Sequence, residues 1–260
     1  MKIRPAAVAG TFYNAQADSL RQLLNSLLDD ARERSEEPPK VLIVPHAGYV
    51  YSGATAAEAY SLLSNNRNRI SRVVLLGPAH RVYLEGLAAP TADAFATPLG
   101  EISLDREGIA TALQLPCVIS SDQAHELEHS LETQLPFLQA TLGDFILLPL
   151  VVGHVAPELV GAVIDALWGG NETLFVISTD LSHFHDYDTA REHDQRTCER
   201  ILAGDTTLAG DDACGAAAVN GLLASEHGSA LQCELLARCN SGDTAGDRQR
   251  VVGYGAFALH

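Results

Sequence analysis

The chain has 260 residues, of which 17 are Lys or Arg and 33 are Asp or Glu, giving a formal net charge of −16. So acidic a surface is a poor partner for nucleic acid, where affinity comes from neutralised phosphates, and for anionic lipid. With 47% apolar and 19% charged residues, the composition is that of a folded chain and excludes a disordered one.

The length predicts one large core, or at most two small ones. No apolar run approaches the roughly 18–20 residues that span a bilayer, and residues 1–13 hold no apolar stretch of signal-peptide length. The five cysteines are odd in number and form no CxxC pair, which predicts free thiols and a reducing, cytoplasmic location.

In chain order, Leu20, Leu23, Leu24, Leu27, Leu28 and Ala31 fall on one face of a helix. The polar run 32–40, with its two prolines, ends it. Residues 41–44 read as a buried strand, 54–64 as a helix and 72–76 as a second strand. Residues 83–101 fit no simple helix and predict a hairpin or a partly antiparallel excursion. Residues 105–115 and 123–140 read as helices, and 145–152 as a third strand. Pro149 inside that run predicts an edge position or a bulge. A helix at 157–168 and a fourth strand at 173–178 follow. Two or three helices then lead to about residue 238, and 250–259 closes the chain as a strand. Short apolar runs alternating with helices predict a single α/β domain over 1–260, with a mostly parallel central sheet and helices on both faces.

Ligands of such a sheet bind beyond the carboxyl ends of its strands. Four of the apolar runs are closely followed by histidine: His46, His80, His154 and His183, with His185 two residues on. If the four strands are parallel neighbours, their loops open at one edge. One histidine in such a loop is as readily an ordinary loop residue, whereas four together point to a site. Neutral imidazole is the commonest metal ligand. Two histidines and one anionic ligand on one face of a metal leave positions open for substrate and dioxygen.

Spacing leaves the third ligand open among Asp180, Glu132 and Cys214. Cys214 lies just ahead of a helical stretch at 216–223, where a helix N-terminus lowers a thiol pKa. It reads equally as a small buried hydrophobe. Cys117, Cys198, Cys233 and Cys239 read as structural. His129 and Glu132 lie three apart on a predicted helix and share a face, which reads as part of a site or as a solvated charged face. In the dense polar run 180–187, Asp180 is placed to orient His183 as a general base. His185 reads as a surface residue.

Several motifs occur together and in order. They are ArgProAlaAlaValAlaGlyThrPheTyr at 4–13, ProHisAlaGlyTyrValTyrSerGly at 45–53 and LeuGlyProAlaHis at 76–80. GluHisSerLeuGluThrGlnLeuProPhe at 128–137, SerThrAspLeuSerHis at 178–183 and GlyTyrGlyAlaPheAlaLeu at 253–259 follow. On these motifs the chain resembles, over essentially its whole length, the Memo family, called AmmeMemoRadiSam system protein B in prokaryotes. That family is similar in fold to the class III, LigB-type extradiol ring-cleavage dioxygenases, which hold non-haem Fe(II) by two histidines and a carboxylate. The resemblance implies that His46 and His80 are metal ligands and that Cys214 is a third, in place of the carboxylate. It implies an acid/base role for His183, with Asp180 beside it and His129 in the substrate pocket. It implies no role for His154.

Iron as Fe2+ is the implied cofactor, and the softer thiolate also suits copper or zinc. The implied function is a mononuclear, dioxygenase-like metal oxidoreductase acting on a small-molecule or peptide ligand. Two alternatives use the same pocket. One is a metal-free hydrolase with Cys214 as nucleophile and His183 as its base. The other is a module that binds a peptide or protein without chemistry. The family name further implies a radical-SAM protein and an AMMECR-type protein as partners.

Overall fold

The structure is a computed structural model that describes residues 1–31 and 38–260. A two-residue strand, β1 (Ile3–Arg4), precedes the first helix, α1 (Ala17–Asp29). The helix buries Leu20 and Leu24, as the periodicity predicts. The acidic part of the run that was expected to end it lies outside the described residues.

Next come β2 (Val41–Val44), α2 (Tyr49–Tyr60) and β3 (Arg72–Pro78). The helix expected at 54–64 thus begins five residues earlier, and a 3-10 turn at Ser61–Asn66 continues it. The stretch expected to leave the helical pattern forms β4 (Leu87–Ala89), β5 (Ala94–Thr97) and β6 (Gly100–Ser103). β5 and β6 pair antiparallel as a hairpin, and β1 joins them in a separate three-stranded sheet.

After α3 (Arg106–Ala112) and β7 (Val118–Ser120), the single helix expected at 123–140 is three short ones. They are α4 (Asp122–Glu126), α5 (His129–Glu132) and α6 (Leu135–Thr141). The break has a local cause. The Glu128 side chain accepts from the backbone N–H of His129 and Ser130, so it caps a new helix instead of continuing the old one. Pro136 then sits in the first turn of α6, where its missing N–H costs no hydrogen bond.

The rest of the chain is β8 (Ile146–Val152), α7 (Pro157–Leu167), β9 (Thr173–Ser178), β10 (His183–His185), α8 (Tyr187–Leu202), α9 (Ala216–Ala224), β11 (Cys233–Asn240) and β12 (Val251–Leu259). The short β10 and the long β11 are strands where helices alone were expected.

The large sheet runs β12-β2-β9-β3-β8-β4-β7, with β10 and β11 both paired to β12. Its four central strands, β2, β9, β3 and β8, are parallel. They are the four apolar runs of the sequence. The margins are not parallel to this centre: β12 runs antiparallel to β2, and β4 to β8. The sheet is therefore mixed around a parallel core. Both faces of that core are covered, since all residues of β2 and β9 are buried, as are six of the seven in β3 and in β8. Helices α1, α2 and α6 pack on one another, and α7 packs on α3 and on α9.

Pro149 neither ends β8 nor bulges it. It pairs in register with Leu75 of β3 on one side only, which is the edge position expected. The β4 ladder reaches only Val151 and Val152, so at Pro149 the strand is paired on one side and no ladder bond is lost.

Candidate metal centre

The topology brings the ends of β2, β9, β3 and β8 to one edge, in that order. His46 follows β2 after Pro45, and His80 follows β3 after Ala79. The third histidine comes from off the sheet. α5 presses against the end of β3 at Gly77, where an added Cβ would lie 2.8 Å from Ser130 Oγ and 2.9 Å from Leu131 Cδ2. Only glycine permits that approach, and it sets His129 beside the other two rings. One donor atom each of His46, His80 and His129 lie within 4.8 Å of one another. The ring centroids of His80 and His129 are 4.6 Å apart and nearly stacked, and those of His46 and His80 are 5.1 Å apart. Among the described residues this is the one group of three His, Cys, Asp or Glu side chains arranged to hold a metal ion.

Hydrogen bonds turn two of these rings. Ser178 Oγ donates its single proton to Ser130 O (2.6 Å) and accepts from Gln134 Nε2 (2.8 Å). The Gln134 amide is itself fixed, donating to Pro45 O and accepting from Tyr60 OH. His46 Nδ1, 2.8 Å from Ser178 Oγ, must therefore be the donor in that contact, which leaves Nε2 a bare lone pair. His46 is buried. Burial, and then the neighbouring His80 and His129, push its ring well below the ordinary histidine range.

His80 is held by Glu128. The carboxylate accepts from the His80 backbone N–H (2.7 Å) and lies 2.9 Å from His80 Nδ1. Burial works to raise Glu128. The hydrogen bond from the His80 ring, and then those from the backbone of Ser130 and His80, outweigh it and hold the acid at about 2. Glu128 is thus ionised and can only accept, so His80 Nδ1 is the donor. A carboxylate behind a histidine is a recurring support for a metal-ligating imidazole. His129 lies against Phe12, with ring centroids 4.7 Å apart. Burial pushes its pKa down, against the pull of Glu128. Its Nδ1 is buried without a hydrogen-bond partner, although Glu128 Oε1 is 3.4 Å away.

The donor set fits a metal ion. Neutral imidazoles converge with lone pairs, and a buried ring nitrogen is left unpaired, which proteins seldom tolerate without a reason.

Cys214 stands next to this group and outside it. Its Sγ is 3.4 Å from His46 Nε2 and accepts from the Asp180 backbone N–H at 3.2 Å. Gly215 permits this, since a Cβ there would lie 2.6 Å from Ser178 O. The lowered thiol pKa expected from the helix start is not found. Burial, and then the negative charge of Asp180, push the Cys214 thiol up to about 12.

Asp180 is buried, and burial raises its pKa against the hydrogen bond from His46. Its Oδ1 accepts from the backbone N–H of His46 at 2.8 Å, so it fixes the β2 turn, and no hydrogen bond joins it to His183. His183 lies on β10, half-buried, close enough for its charge to be felt at both His46 and Asp180. Phe184 beside it has φ 65°, the one left-handed non-glycine residue among those described, and the β10–β12 register slips there. The ring of Phe184 is exposed as a result. His185 lies against His193, 5.5 Å between ring centroids.

Glu132 is not at the centre. It is fully buried in an ion pair with Arg4 (2.6 Å) and also accepts from Tyr13 OH and from the backbone N–H of Ala7 and Val8. His154 is exposed, its backbone is bonded to Leu84 and Gly86, and it lines with Cys214 and Ala79 a cavity of about 250 Å3. A cavity of about 590 Å3 opens beside Leu99 and Ile146, at the opposite end of the strands, and no histidine or cysteine lines it.

Sequence reasoning passed over Ser178, Gln134 and Glu128 as functional residues. The signal for Glu128 was present: an acid directly before His129, in a run too polar for a core helix.

The profile of Memo-like proteins matches residues 4–258. A MEMO1 family protein of Aquifex aeolicus is 35% identical over 266 residues, covering 98% of each chain. Another, from Methanosarcina barkeri, is 36% identical over 275 residues, covering 99% of this chain and 100% of its own. A third, from Ignicoccus hospitalis, is 34% identical over 284 residues and covers 98% of each.

Proposed function

This chain belongs to the family of Memo-like proteins, and on that premise we propose that it is a metal-dependent oxidoreductase with one mononuclear centre at the ends of β2 and β3. The observation that carries this reading is the convergence of His46, His80 and His129, with two of the rings turned by Ser178 and Glu128. His46 and His80 would hold the ion through the nitrogens facing away from those supports. Cys214 would complete the set as a thiolate, since a thiol that coordinates a metal gives up its proton. Iron as Fe2+ is the ion we propose, and a thiolate with imidazoles also accommodates copper or zinc.

When bound, such a metal supplies Lewis acidity and electron transfer to a substrate in a LigB-like pocket. The protein's own groups do the rest. Asp180 fixes the turn that carries His46. His129, held against Phe12, faces the centre beside the other two rings, where it can place a substrate. His183, half-buried and within electrostatic reach, takes up or returns a proton. The metal-free hydrolase reading is disfavoured by two observations. The imidazole nearest Cys214 is His46 and not His183, and a thiol held at about 12 is a weak nucleophile.

The test is the metal content of protein purified anaerobically without a metal-binding tag. About one iron or copper per chain is expected, lost in His46→Ala and in His80→Ala. Protein that stays metal-free after reconstitution, or variants that keep full occupancy, would overturn the reading and leave a binding module as the alternative.

A further inference from the structure

A second set of charged side chains lies apart from the three histidines. α8, β11 and the 3-10 turn Ser241–Asp243 border a cavity of about 280 Å3, and every residue that lines it carries a polar or thiol side chain. Four of them are charged: Arg191, Asp194, Arg238 and Asp243. The Asp243 carboxylate is spent, accepting from Tyr187 OH and from the backbone N–H of Asn240. The Asn240 side-chain oxygen accepts from Gly242, and the Cys239 thiol lies 3.0 Å from Thr55 Oγ1. The other three charged groups keep bonding capacity in hand. Asp194 is 1% exposed. Its Oδ1 accepts from the backbone N–H of Ser182 at 3.0 Å. Its Oδ2 has no hydrogen-bond partner among the described residues, and unlike the orphaned nitrogen of His129 it is not sealed from the surface. Gly253 makes room for it, since a Cβ there would collide with Oδ2. The Arg191 guanidinium makes no hydrogen bond or ion pair among the described residues and lies over the Tyr187 ring at 5.7 Å. Arg238 donates once, to Arg191 O, and keeps its other N–H groups free.

These charges do not satisfy one another, for no ion pair joins either arginine to Asp194. The chain holds 33 acidic side chains against 17 basic ones, so the two arginines do not stand unpaired for want of partners. Burial raises the pKa of Asp194, a cost that a cation or strong donor at Oδ2 would offset. A carboxylate set between guanidiniums makes the strong, forked hydrogen bonds that arginine favours. From this geometry we propose that the cavity is a second ligand site, distinct from the metal centre, for a free α-amino acid, its carboxylate on Arg191 and Arg238 and its ammonium group on Asp194 Oδ2. The size agrees. A cavity of roughly 150 Å3 holds a benzene ring, so this one admits the zwitterion and a small side chain.

The test is a chemical-shift titration of the whole chain with L-alanine and with two counterparts that each lack one charge, propionate and ethylamine. L-Alanine is expected to bind saturably, at least about 10-fold tighter than either counterpart. Arg191→Gln, which removes a side chain with no hydrogen bond to the fold, should weaken L-alanine and propionate alike by about 10-fold and leave ethylamine unchanged. Asp194→Asn should bring L-alanine down to the affinity of propionate. Absence of saturable L-alanine binding, propionate binding as tightly as L-alanine, or L-alanine affinity that survives Arg191→Gln would each overturn the proposal. Metal content is measured on the same Arg191→Gln protein and should match the parent chain, so failure here and failure of the oxidoreductase reading are separable.

Discussion

The ends of β3 and β8 look alike in sequence and differ in what they become. Both strands are apolar, parallel and adjacent, and both are followed two residues later by a histidine, His80 or His154. Behind His80 stands the ionised carboxylate of Glu128, which accepts hydrogen bonds from its Nδ1–H and its backbone N–H. Among the described residues no hydrogen bond fixes the His154 ring, and its backbone joins the chain at Leu84 and Gly86. A strand end therefore offers a position, while a partner such as Glu128 fixes the direction of the ring.

The largest expected effect breaks the comparison directly. His80→Ala should lose the metal outright, more than about 100-fold in affinity by competitive chelator titration, since the second-sphere change alone costs about 10–100-fold. Glu132→Ala separates the two acids of one short segment. It should destabilise the fold by about 3–5 kcal/mol in urea denaturation, because Arg4 is left buried and unpaired. Metal affinity of the folded fraction should be kept. If instead metal is lost while stability holds, Glu132 belongs to the centre and Glu128 does not.

Titration of stability with pH isolates a third group in that stretch. An unfolded histidine takes its proton near 6.5, whereas folded His125 takes it only at about 4. Between these values the unfolded state holds more protons, so stability falls as pH falls through this window, by about 3 kcal/mol in all. His125→Phe should flatten that part of the curve, and an unchanged slope would show that the ring is not buried neutral. Glu128→Gln removes the charge and keeps the shape, and should weaken metal affinity about 10–100-fold. The smallest effect belongs to the other strand end. His154→Ala should leave metal content unchanged and stability within about 0.5 kcal/mol, as for an ordinary exposed side chain. Loss of metal there would show that position alone suffices.

Periodicity and apolar runs alone determined α1, the four central strands and the histidines that follow them. These are local patterns, set by which side chains must leave water. The motifs that mark the family were equally legible, and so was the placing of His46 and His80 at the ends of strands of one parallel core. The helix expected at 123–140 was misjudged because the Glu128 side chain accepts from the backbone N–H groups of His129 and Ser130 that follow it and starts α5 afresh. The long strand β11 was missed because its partner, β12, comes later in the chain and alone gives it a ladder.

What only the tertiary structure decided was the choice among the polar groups. Glu128 and His80 are 48 residues apart, and Ser178 and His46 are 132 apart. No local pattern orders such pairs. Glu132 and Glu128 are indistinguishable as letters, yet one neutralises Arg4 and the other steadies His80. The reason is physical: a buried charge must find its partner in space, and chain folding, not chain order, supplies the neighbours.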